Sequence, residues 1–78
     1  MTVGDKFAHY INIDKNRALL WWLLEITKVE GDMVEYFTHF NIDNGRVGYN
    51  ICQRCAFEIH KCNKISDEDF NELKAQIL

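Results

Sequence analysis

Seven consecutive apolar residues, Ala18-Leu-Leu-Trp-Trp-Leu-Leu24, sit in a chain of only 78 residues. The run is far short of the roughly 20 residues that a membrane-spanning helix needs. It therefore has to be covered by the rest of the chain or by a partner. On a strand, successive side chains point to opposite faces. Trp21 and Trp22 would then lie on opposite sides of a sheet, one in the core and one toward solvent, a partner or a second copy. On a helix the run would bury its whole circumference. Residues 16–25 are largely good helix formers, with Asp14 as a cap and Gly31 as a stop. We favour the strand, because Glu25 to Phe37 alternates cleanly across Gly31, the pattern of an antiparallel hairpin.

Two more segments alternate. Phe7, His9, Ile11 and Ile13 interleave with Lys6, Ala8, Tyr10 and Asn12. From Met33 to Ile42, the residues Val34, Tyr36, Thr38 and Phe40 share one side. Asn44-Gly45 suits a hairpin turn or the end of a strand. Beyond it the period changes. Placed on a helix, Asn50 to Asn63 gathers Ile51, Cys52, Cys55, Ala56, Ile59 and Cys62 on one face, with Asn50 and Gln53 as a capping box. A strand over Cys55–Cys62 is the alternative, but the helix accounts for more residues. A last helix opens at Ser66 with Asp69 at the box position. Ile65 and Phe70 form a hydrophobic staple, and Phe70, Leu73 and Ile77 form the buried stripe. The expected fold is α+β: a small three-stranded antiparallel sheet followed by two C-terminal helices on one face (β-β-β-α-α). It is a single domain over 1–78, with a sheet part at 1–45 and a helical pair at 50–78.

At this length a lone core is marginal. With 47% apolar and 13% aromatic residues, the chain is too apolar to be disordered. Its net charge is −3, and its Lys and Arg residues are spread singly. A nucleic acid partner is therefore disfavoured, and so is a membrane. Three cysteines cannot all pair within the chain. Met1–Asp5 lacks the features of a secretory signal. Both point to the reducing cytoplasm.

The cysteines and a histidine spell Cys52-x2-Cys55-x4-His60-x-Cys62, a candidate zinc set, with His39 as a substitute for His60. The competing account is that the three cysteines are small apolar residues on a buried helical stripe, with no cofactor. His9 and His39 share the faces of Phe7 and Phe37 and would approach each other if those strands pair. No nucleophile–base set and no phosphate-cradling glycine loop is present, so no enzymatic activity is expected. Trp21, Trp22, Leu24, Tyr36 and Phe57 are the candidate interaction residues. The expected function is that of an interaction module binding another macromolecule. The alternatives are a zinc module built on Cys52, Cys55, His60 and Cys62 that contacts nucleic acid, and a nucleotide or second-messenger sponge in which Trp21 or Trp22 and Tyr36 stack on bases.

Ile65-Ser-Asp-Glu-Asp-Phe70 followed by Leu73 resembles the short helical pair at the C-termini of many bacterial and phage proteins. Val3-Gly-Asp-Lys-Phe7 and Gly31-Asp-Met-Val34 resemble strand starts of small phage accessory proteins. That resemblance implies an inhibitor of a host protein or defence system, acting in the host cytoplasm. The apolar run further suggests a homodimer through the sheet face that the helices leave open.

Overall fold

The computed structural model describes residues 1–43, 47–59 and 62–77. Its elements are β1 (Lys6–Asp14), β2 (Arg17–Glu30), β3 (Met33–Asn41), β4 (Gly48–Gln53), α1 (Ala56–Ile59), β5 (Asn63–Ile65) and α2 (Asp67–Ile77). The strands form one antiparallel sheet in the order β4-β3-β2-β1-β5. The first three strands fall where the alternation placed them. The three-stranded sheet with two helices is corrected to a five-stranded sheet with one short C-terminal helix, α2, and the single turn α1.

The correction lies between residues 48 and 65. Residues expected on a helix instead pair with β3, with Val34 opposite Cys52, Glu35 opposite Ile51 and Phe37 opposite Tyr49. Without β4, the outer N–H and C=O groups of β3 would lack ladder partners. Asn50 is therefore a strand residue, not a helix cap. Its Oδ1 accepts the N–H of Ile51 at 2.9 Å. The three cysteines do not form a helical stripe: Cys52 and Cys62 are half-buried and Cys55 is exposed.

Local chemistry explains the turns. Asp14 Oδ1 accepts the Asn16 N–H at 2.9 Å, and Asp14 Oδ2 holds Arg17 Nε at 2.8 Å, closing the β1–β2 turn as an Asx turn does. The two-residue β2–β3 turn starts at Gly31, whose φ of 60° suits a residue without Cβ. At the start of α2, Ser66 Oγ accepts the Asp69 N–H at 3.1 Å, and three acidic residues occupy its first turn. Of the expected stripe, Phe70 is buried, Leu73 is half-buried and Ile77 is exposed.

The core is divided by the sheet. On one face Phe7, Leu24, Ile26, Val34 and Tyr36 pack under Phe57 of α1. On the other, Ala8 and Leu23 pack under Phe70 of α2, flanked by Leu20, Phe40 and Ile65. The two covers thus lie on opposite faces, and neither face is left wholly open. Leu23 and Leu24 are neighbours in the chain, and both are fully buried. That is possible only for a strand covered on both sides.

Leu24, Tyr36 and Phe57, expected at an interface, are core residues of the monomer. Leu24→Ala should cost about 2–5 kcal/mol, while Leu19→Ala, on the exposed part of β2, should stay within about 0.5 kcal/mol. Urea denaturation of the two variants measures both. Equal, small losses would place Leu24 at the surface.

Candidate functional site

One concave feature of the sheet lies on the Phe57 face, beside Phe57 itself. Its volume is about 470 Å³, and Trp21, Trp22, Tyr36, His9, Asn41 and Asn50 are among its lining residues. Two indoles reach one cavity because β2 is irregular there. His9 pairs with Trp22 and Tyr10 with Leu20, so Trp21 has no opposite residue on β1. An extra residue of this kind is a β-bulge, which bends the strand and re-aims side chains. The expectation that Trp21 and Trp22 point to opposite faces is overturned by that one-residue insertion.

Trp22 is fixed from several sides. Its Nε1–H donates to Thr38 Oγ1 at 3.0 Å. Its ring meets Tyr36 edge-on at 5.5 Å and lies nearly parallel to Phe57 at 6.2 Å. It is a preformed wall rather than a mobile side chain. The two asparagines are oriented as well. Asn41 Oδ1 accepts the Asp43 N–H and Asn50 Oδ1 accepts the Ile51 N–H, both at 2.9 Å. A backbone N–H can only donate, so the atom it meets must be the amide oxygen. Each amide then has its NH2 to offer elsewhere.

The opposite face holds a polar cluster that the sequence reading did not assemble. Glu25 Oε1 accepts from His39 Nε2 at 3.3 Å. Lys6 Nζ lies 3.8 Å from Glu25 and 3.0 Å from Asp67 of α2. The Phe70 ring covers the group, 5.0 Å from the His39 ring and 5.7 Å from Lys6 Nζ. His39 is again a bulge residue, since Leu23 pairs with Phe40 and Leu24 with Thr38. Burial holds the His39 pKa below its ordinary value, outweighing the hydrogen bond to Glu25. The hydrogen bond to Asp67 raises that of Lys6. His9 and His39 would approach each other if their strands paired, but β2 runs between β1 and β3 and the two imidazoles lie on opposite faces of the sheet.

Cys55 is exposed, while Cys52 and Cys62 pack at the edge of the Phe57 core. Burial pushes the Cys62 thiol up to about 11 and raises that of Cys52, which disfavours the thiolate that binds metal. His60 lies outside the described residues. Among the described residues no three His, Cys, Asp or Glu side chains converge as a metal site, and no helix is long and apolar enough to cross a membrane.

No protein-family model, no curated protein and no solved structure matches the chain.

The Glu25–His39 cluster gives the fold a pH dependence. Glu25 (β2), Lys6 (β1), and Asp67, Phe70 and Lys74 (α2) surround the imidazole. Because its folded pKa lies below the ordinary 6.5, the unfolded chain binds more protons as pH falls. This contribution to stability is complete above the unfolded value and is lost as pH drops through it toward the folded one. The urea midpoint should therefore fall between about pH 7 and pH 5, and less so in His39→Gln. An unchanged slope in the variant would assign the loss to other groups.

Proposed function

We propose that the chain is a small non-enzymatic interaction module that inhibits or regulates another protein by pairing β4 with an extended segment of that partner. A second copy of the chain is one such partner. The observation that carries this reading is the character of the β4 edge. Edge strands are usually guarded by charge, proline or shortness, because their unpaired N–H and C=O groups template a further strand. Gly48-Tyr-Asn-Ile-Cys-Gln53 spans six residues and contains neither a charge nor a proline. Tyr49 and Ile51 on it are 69% and 63% exposed. The other edge is guarded, since β5 has three residues and carries Lys64, which pairs with Asp5 at 3.4 Å.

Strand addition draws its affinity from main-chain hydrogen bonds and its selectivity from the alternate side chains. Here Tyr49 and Ile51 would supply the apolar contacts on one face. The Phe37 ring, 4.8 Å from Tyr49, backs them. The absence of an expected catalytic set in the sequence agrees with this reading. The Glu25–His39 pair lies beneath Phe70, on the sheet face away from the cavity.

A photo-crosslinker at exposed Gln53 tests the proposal, with mass spectrometry identifying the attached chain. We expect an adduct to a second copy or to another protein. We also expect its loss in Ile51→Lys, a surface change that leaves stability within about 0.5 kcal/mol. An adduct that persists undiminished in Ile51→Lys and Tyr49→Lys would place the partner elsewhere.

A further inference from the structure

We infer that the Trp21–Trp22 cavity is a binding site for a neutral, planar heteroaromatic ring with hydrogen-bond acceptors on its edge, the chemistry of a nucleobase. The cavity includes Gly48, Tyr49 and Asn50 of β4 and so adjoins the edge proposed for the partner, but its argument stands on separate observations.

Size comes first. About 470 Å³ falls within the roughly 300–1,000 Å³ of small-molecule sites. Shape comes second. The bulge at Trp21 brings two adjacent indoles to one cavity, and an indole presents a flat surface on which a planar ring stacks. Trp22 is locked by Thr38, Tyr36 and Phe57, so a ligand that stacks on it does not have to order it. Little binding free energy is lost to side-chain entropy as a result.

Polarity comes third and selects the ligand. Asn41 and Asn50 both line the cavity, and both amide oxygens are occupied by backbone N–H groups. What each amide can give a ligand is its NH2 donor. A ring whose edge carries carbonyl oxygens or unprotonated ring nitrogens accepts from such donors, as nucleobases do. Among the described lining residues there is no Lys, Arg, Asp or Glu. The described lining therefore suits an uncharged ring.

The test uses the whole chain and the four ribonucleosides, with ribose as the control. The readout is the shift of the Trp21 and Trp22 indole N–H resonances. At least one nucleoside should give saturable shifts with a dissociation constant near or below about 1 mM, and ribose should give none. Trp21→Ala should weaken binding by about tenfold or more. The sharper variants are Asn50→Asp and Asn41→Asp. Each keeps the oxygen that accepts the backbone N–H and replaces the NH2 donor by a second acceptor. The fold, followed by circular dichroism, should hold while nucleoside binding falls by about tenfold or more. No saturable shift up to about 10 mM, equal shifts with ribose, or unweakened binding by both Asp variants would overturn the assignment.

Discussion

Leu23 and Leu24 are adjacent on β2 and both inaccessible to solvent. Adjacent strand residues face opposite ways, so the central strand must be covered twice. A chain of 78 residues has little material for that. It uses two small pieces, one after the other. Residues 56–59 place Phe57 over Phe7, Leu24 and Tyr36, and α2 places Phe70 over Ala8 and Leu23. Burying a Leu or Phe side chain is worth on the order of 1.5–3 kcal/mol, so each cover contributes substantially to a domain this small. Between them runs β5, only Asn63–Ile65, which pairs with β1 beside the buried Phe7 and Ala8. It carries the chain from one face of the sheet to the other.

Two short covers cannot span a 14-residue strand, and the proposed function rests on what they leave. On the Phe57 face the uncovered stretch becomes the indole cavity. Among the described residues no strand pairs with the outer edge of β4. The two irregularities of most consequence, at Trp21 and His39, each put a side chain where regular alternation would not. One joins a second indole to the cavity, and the other sets an imidazole against Glu25 beneath Phe70.

Much of the N-terminal half was legible in the sequence because alternation there is strong. The hairpin about Gly31 and the cap at Ser66 also rest on local chemistry that a sequence displays. The region from Gly48 to Ile65 was not legible. Ile51, Cys52, Cys55 and Ala56 fit a helical period, but β3 needed a ladder partner, and that is a tertiary demand. The faces of Trp21 and Trp22 were misassigned for a related reason. A bulge inserts one residue into the count, and no residue type announces it. Tyr36 and Trp22 were singled out for stacking on a ligand's bases, whereas in the fold their rings contact each other and Phe57. Phe57 was read as surface because its helical setting hid the core it closes.

The claim on which the rest depends is that the sheet is covered on both faces by different aromatic rings. Nuclear Overhauser contacts from the Phe57 and Phe70 ring protons measure this directly. The account predicts contacts from Phe57 to Phe7 and Tyr36, which lie 5.6 Å away between ring centres in each case. It also predicts contacts from Phe70 to Ala8, Leu23 and His39, with no residue of either set shared. Contacts from both rings to one common set, Leu24 and Tyr36 for example, would put both covers on a single face and contradict the account.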